Sequence, residues 1–412
     1  MGRLRGITAN WLVSAAALSQ PIQDGALVLD EEGCRIVAIG DSASLRNSYP
    51  NADWQTLGGV LLPGLVNANV VLEDLGLPAV SGRGHFELAM GIARAAAERG
   101  EFIDGEALAA RCDLLRERGT VACGVSSTSL LDANALRDAR FETKVFQVTR
   151  GMRADVVAVM RELSAELRSE RGKGLDIIES VHSVYAVHPD AVRTIVAEAK
   201  LRGARTLVPL CESAVARASL LDGTGPFDSL LAQSSQSARD WKAPGSDSVT
   251  HAQSVDALGA HTLLVNLLDA QPGEIIQVAT SGAPVVLLPR QNMHSDTRLP
   301  NVDAMLRNHI PLALGTGSCA ITNDGDVLGE AAALYARFPQ RDAGVFVSMA
   351  TSGGATALGY DEHLGTLDVG KSPGILHIDF DTRIDSNPER FVLKERQRPR
   401  ALLAPQKVPK AF

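Results

Sequence analysis

A chain of 412 residues, 45% of them apolar and 21% charged, can bury a sizeable core and has room for one large domain plus a smaller one. Its net charge of −8 and pI near 5.6 exclude any general attraction for nucleic acid or anionic membrane, and no run approaches the roughly 20 apolar residues that span a bilayer. A small-molecule ligand is the expected partner, with neither nucleic acid nor membrane.

The N-terminus, a basic start followed by Ile7 to Leu18, has some features of a signal peptide. Thr8, Asn10 and Ser14 interrupt its apolar run, and the sequence continues directly into strand-like segments. Gly25–Asp30 and Arg35–Gly40, separated by Glu31-Glu32-Gly33, predict a hairpin. From Val60 onward short β-branched runs alternate with amphipathic segments, the pattern of parallel strands with crossover helices. Eight runs qualify as strands: Leu65–Val70, Thr120–Ser126, Thr143–Val148, Asp176–Val181, Thr206–Cys211, Thr262–Leu267, Pro284–Leu288 and Pro311–Gly315. Helices are predicted between them at Leu108–Arg118, Ala154–Leu167 and Ala191–Arg202. The fold class is therefore α/β, with a (β/α)8 TIM barrel over residues 61–350 favoured over a doubly wound open sheet. After Thr351 short strands return, so residues 1–60 and 351–394 are expected to form one small β-sandwich domain from both chain ends. Residues 395–412, rich in Arg, Lys and Pro, read as a solvated basic tail. Cys34, Cys112, Cys123, Cys211 and Cys319 are odd in number and lack CxxC spacing, which argues for reduced thiols and a cytoplasmic setting.

None of the nine histidines forms an H-x-H or H-x-x-x-H pair. His188, beside Pro189 at a helix start, suits capping better than ligation. Cys211 has no histidine placed by sequence to activate it and reads as a buried strand thiol.

The string Gly59-Val-Leu-Leu-Pro-Gly-Leu-Val-Asn-Ala-Asn-Val-Val-Leu-Glu73 resembles the first barrel strand of the amidohydrolase superfamily, and Leu72-Glu73 points to its aminohydrolase, or deaminase, branch. Thr351–Gly359 and Gly365–Lys371 resemble that superfamily's closing helix and final β segment, so the resemblance covers nearly the whole chain. It implies a hydrolase-like scaffold with a metal at the C-terminal ends of the strands. The two histidines of the first strand correspond here to Asn69 and Val71. Leu207–Ser213 resembles the fifth-strand signature, with Pro209 at the histidine and Glu212 kept. Asn266 stands at the sixth-strand histidine and Gly317 at the eighth-strand aspartate.

A catalytic zinc or iron needs about three imidazole or carboxylate donors, which this set does not supply, so no metal and no other cofactor is expected. The resemblance further implies His182 and Tyr185 as pocket residues of the fourth strand, Arg290 and Asn292 as substrate-binding residues of the seventh, and Glu212 as the proton shuttle. Two readings follow. The first is a metal-free, non-hydrolytic pseudoenzyme that binds a small metabolite, is homodimeric, or pairs with an active relative. The second is a metal-independent hydrolase or lyase acting on a nucleoside-like or heterocyclic substrate, with Glu212 and His182 as acid and base. Because the replacement residues bring no new nucleophile or base, the first is favoured.

Overall fold

The computed structural model describes residues 3–16, 19–30, 35–78, 80, 82, 84–100, 105–128, 133–152, 169–171, 173–233, 242–296, 298–379, 387–395 and 400–403. Alternating apolar and turn residues near the N-terminus form seven short strands: β1 (Leu4–Thr8), β2 (Trp11–Leu12), β3 (Ile22–Gln23), β4 (Gly25–Asp30), β5 (Arg35–Asp41), β6 (Asp53–Thr56) and β7 (Val60–Pro63). There follow β8 (Leu65–Val71), β9 (Thr120–Ser127), β10 (Glu142–Thr149), β11 (Asp176–Val181), β12 (Thr206–Leu210), β13 (Thr262–Asn266), β14 (Val285–Leu287), β15 (Leu312–Leu314) and β16 (Gly317–Ser318). β17 (Ile375–Ile378) and β18 (Arg400–Leu403) close the series. Each of the eight runs expected from sequence is a strand, its ends shifted by no more than one residue. The helix expected at Ala154–Leu167 lies outside the described residues.

Strands β8 to β16 form two parallel sheets, β11-β10-β9-β8-β16 and β12-β13-β14-β15. The chain links them where β15 runs on through Gly315 and Thr316 into β16, which pairs with β8. At the other margin the ladder gives way to side-chain bonds: Thr206 Oγ1 donates to Glu179 O at 2.8 Å, and Ser180 Oγ accepts from Leu207 N at 3.2 Å. Every residue of β13 is buried, as expected of a parallel strand covered on both faces. Ala68, Phe146, Ile178, Leu207, Val265 and Val286 pack as one apolar cluster. Outer helices bury one stripe each. Pro189–Leu201 turns Ala191, Val192, Ile195, Val196 and Ala199 inward, and the His188 ring caps its first turn by accepting from Asp190 N at 3.3 Å.

Two further sheets, β5-β4-β1-β6 and β18-β17-β7-β2-β3, draw on both ends of the chain. They share an apolar cluster, with Ile7, Leu27 and Leu29 from one and Leu12, Leu61 and Ile375 from the other. The expected hairpin is the antiparallel pair β4 and β5.

Two boundary expectations need correction. The segment expected to be a tail contributes β18, antiparallel to β17, so its short apolar run outweighs the surrounding charge. The helix Ser352–Leu358 packs against the parallel strands, so closely that a Cβ on Gly353 would lie 2.2 Å from Leu312 O. Helix Pro388–Glu395 also buries Val392 and Leu393 in the larger core. A division at 351 therefore assigns helices of the parallel-sheet core to the small domain. Cys112, Cys123, Cys211 and Cys319 are buried free thiols, and among the described residues no helix is long and apolar enough to cross a membrane.

Candidate active site at the C-terminal ends of the strands

The positions singled out by sequence converge. Asn69, Val71, Pro209, Glu212, Asn266 and Gly317 line one cavity of about 340 Å³ at the C-terminal ends of the parallel strands, and His182 joins them. Helix His85–Arg99 covers one side of it with Leu88, Ala89, Ile92, Ala93 and Ala96. The backbone is unusual at this rim. Cys211, Asn266 and Leu267 adopt φ of 50°, 90° and 58°, a region L-residues with side chains seldom enter.

The central feature is a buried pair absent from the sequence expectations: His85 Nε2 lies 3.2 Å from Glu212 Oε1. Burial pushes the Glu212 carboxyl up, but the hydrogen bond and charge of His85, helped by Arg150, outweigh it and hold the group below its ordinary 4.5. Burial likewise pushes His85 down, and the bond and charge of Glu212, then of Asp296, hold it above 6.5. His85 opens a helix, where the dipole disfavours a cation by about 0.3–1 kcal/mol. A charge-assisted hydrogen bond, at about 1.5–3 kcal/mol, is the larger effect, so the pair is an ion pair. Glu212 Oε2 is buried without a hydrogen-bond partner and is the oxygen left for a ligand.

His182 does not contact Glu212 in this way. Burial, reinforced by the charge of Arg150, pushes it down to about 3, and its Nδ1 is buried without a partner. It is a neutral pocket residue, which corrects its assignment as the acid/base partner. Tyr185 is not among the residues lining the cavity, but it lies against Glu212: burial, then the charge of Glu212, raises its hydroxyl well above 10.0, and its ring meets Phe227 edge-on at 5.0 Å. Arg290 also lies off the cavity, its guanidinium held by Asp324 at 2.8 Å and Glu330 at 2.7 Å. Asn292 is fully buried outside the cavity lining, with both amide atoms unpartnered. Cys211 is buried, and desolvation raises its thiol well above 9.0, so it is no nucleophile at neutral pH.

The donor set can be tested against a metal. Asn69 Nδ2 donates to Ser126 Oγ at 3.2 Å, Val71 and Pro209 carry no donor, and Asn266 offers a neutral amide. At Gly317 a Cβ would lie 2.1 Å from Gln291 Oε1, so the space of an eighth-strand side chain is filled by Gln291, which accepts from Ser318 N at 2.9 Å. Among the described residues no group of three His, Cys, Asp or Glu is placed to hold a metal ion. These residues do not fit a catalytic zinc or iron.

Sequence reasoning also passed over Asp74, Arg150 and Ser318, which line the same cavity. Asp74 directly follows the Leu72-Glu73 pair, so its position was the available signal; His85 and Arg150 lie in no recognisable motif.

A profile of the amidohydrolase family matches residues 90–404. An aminodeoxyfutalosine deaminase from Nitratiruptor sp. is 25% identical over 368 residues, covering 87% of this chain and 88% of that protein. A 5-methylthioadenosine/S-adenosylhomocysteine deaminase from Halobacterium salinarum is 36% identical over 147 residues, 33% of each protein. Among solved structures, Helicobacter pylori aminofutalosine deaminase superposes with a TM-score of 0.84 at 18% identity, covering 98% of this chain and 100% of that one. A second structure of that protein, in complex with methylthio-coformycin, gives a TM-score of 0.86, also at 18% identity, with 97% and 98% covered.

These relatives overturn the expectation of a non-hydrolytic pseudoenzyme. The proteins matched along most of the chain are deaminases, and the error lay in judging activity from the five strand-end positions alone. The profile match spans most of the chain and the fold is shared end to end: the chain belongs to the amidohydrolase family.

Proposed function

We propose that this protein is an enzyme of the deaminase branch that hydrolyses an amino group from a nucleoside-like heterocycle bound in the cavity at the strand ends. The reading rests on one observation, the buried His85–Glu212 ion pair whose Glu212 Oε2 is left unpartnered beside that cavity. An anionic carboxylate with a cationic partner exchanges protons readily. The proton held on His85 passes through the Glu212 carboxylate to the departing amine, leaving His85 neutral until it takes up a proton again. The apolar face of helix His85–Arg99 holds the rest of the ligand and excludes water, which strengthens the field of the pair. Relatives named for deamination of 5-methylthioadenosine, S-adenosylhomocysteine and aminodeoxyfutalosine support the substrate class.

The accompanying architecture is one (β/α)8 barrel with a small β-sandwich made of the end sheets. The buried free thiols accord with a cytoplasmic setting.

Ammonia release from adenosine, 5-methylthioadenosine, S-adenosylhomocysteine and aminodeoxyfutalosine tests the proposal. Turnover of at least one is expected, with Glu212→Gln lowering it by about 10²–10⁴-fold. No turnover of any of the four, or full activity in Glu212→Gln, overturns it.

A further inference from the structure

Asp74 is a buried carboxyl in the cavity that the proton shuttle above does not use. It ends the turn Leu72–Asp74 just past β8, is 7% exposed, and lines the same cavity as Glu212. Ser318 Oγ donates to Asp74 Oδ2 and cannot turn away easily, because the same oxygen accepts from Ala320 N at 3.2 Å while Ser318 N donates to Gln291. Ser318 lies beside Val71 in the pairing of β16 with β8, directly after Gly317. A carboxyl from the end of β8 thus reaches the end of β16, where residue 317 brings no side chain.

We propose that Asp74 is a second catalytic carboxyl of the deamination described above, accepting the proton of the attacking water at the strand end where Gly317 offers no group. The inference rests on that functional reading. In the step, the water oxygen bonds to the ring carbon bearing the amino group and one water proton passes to Asp74. The carbon–nitrogen bond then breaks with its electron pair on nitrogen. That nitrogen takes a proton from Glu212, supplied by His85, and leaves as ammonia. Asp74 returns its proton through water to the Glu212–His85 pair, so the enzyme is restored and only water is consumed.

The surroundings suit a base at neutral pH. Burial raises the Asp74 carboxyl to about 6 against the Ser318 hydrogen bond; the charge of Glu73 adds to the rise, and Arg150 and Arg99 oppose it. Cys319 also faces it, a thiol that burial keeps protonated. Glu212 and Asp74 are therefore two carboxyls of one cavity driven in opposite directions, the condition under which two acids take different roles.

The test is the pH dependence of ammonia release in the full chain for Asp74→Asn, Ser318→Ala and Glu212→Gln. Asp74→Asn keeps the shape and an acceptor for Ser318; kcat is expected to fall about 100-fold or more with KM little changed, and the acid limb of the profile to vanish. Ser318→Ala, a change at a positioning residue, removes a bond that favours the ionised carboxylate and moves the acid limb to higher pH. Asp74→Asn activity within about threefold of the unaltered protein, with the acid limb in place, overturns the role of Asp74 alone if Glu212→Gln is still inactive. If Asp74→Asn does not fold, an unmoved acid limb in Ser318→Ala overturns it instead. Absence of turnover in the unaltered protein overturns both proposals.

Discussion

The two ends of the parallel strands handle charge in opposite ways. At the N-terminal end Lys144 Nζ donates to Leu358 O at 2.5 Å, and Arg205 Nη1 donates to Thr356 O and Ala357 O at 2.5 and 3.3 Å. Both cations sit on the last carbonyls of helix Ser352–Leu358, where they satisfy orphan acceptors and oppose the helix dipole. At the C-terminal end Glu212 Oε2, His182 Nδ1 and Asn266 Oδ1 are buried without partners, and three consecutive-strand residues hold left-handed backbone. Buried polar atoms without partners cost about 1–3 kcal/mol each; those at the C-terminal end border the cavity, where a ligand could satisfy them, whereas Thr120 Oγ1 and Thr143 Oγ1 at the N-terminal end do not. Changes at the two ends should therefore separate stability from turnover.

The largest stability effect is expected at the ion pair. His85→Leu leaves Glu212 buried and uncompensated, and should cost about 3–5 kcal/mol in denaturant unfolding. With Glu212 below 4.5 and His85 above 6.5, the pair contributes fully between those values. Its contribution is lost as pH falls through the lowered Glu212 value or rises through the raised His85 value. A denaturant midpoint that falls at both extremes in the unaltered protein, and less so in His85→Leu, is the expected outcome.

Gly317→Asp comes next. Its φ of 66° and the 2.1 Å approach to Gln291 both oppose a side chain, and a loss of about 2 kcal/mol or more is expected, partly recovered by adding Gln291→Ser. At the N-terminal end, Arg205→Met should cost about 1–3 kcal/mol of unfolding free energy and leave turnover unchanged. The smallest effect is at Asn266, whose φ of 90° favours glycine. Asn266→Ala should be less stable than Asn266→Gly by about 1 kcal/mol in thermal unfolding.

The parallel strands were legible because they are short runs rich in apolar and β-branched residues separated by turn and helical segments, most continuously so in Thr262–Asn266. The strand-end positions were legible too, since Asn69, Pro209, Glu212, Asn266 and Gly317 lie in strings that fix their place on the scaffold, and they do meet in one cavity. What sequence could not give is partnership across the fold. His85 lies on a helix remote in sequence from Glu212, and nothing local to either residue announces their contact. Arg290 shows the converse: its place in a strand-end string suggested a ligand, whereas Asp324 and Glu330, supplied by later segments, hold it away. The tail was misjudged because charge dominates its composition, while pairing of β18 depends on β17.

The central claim, that function resides at the C-terminal ends around Glu212, is tested most directly by measuring ammonia release from the same nucleoside for Glu212→Gln and Lys144→Met side by side. The expected result is a loss of about 10²–10⁴-fold in Glu212→Gln, with Lys144→Met close to the unaltered protein once both are confirmed folded. Undiminished release by Glu212→Gln, with release lost in folded Lys144→Met, would contradict it.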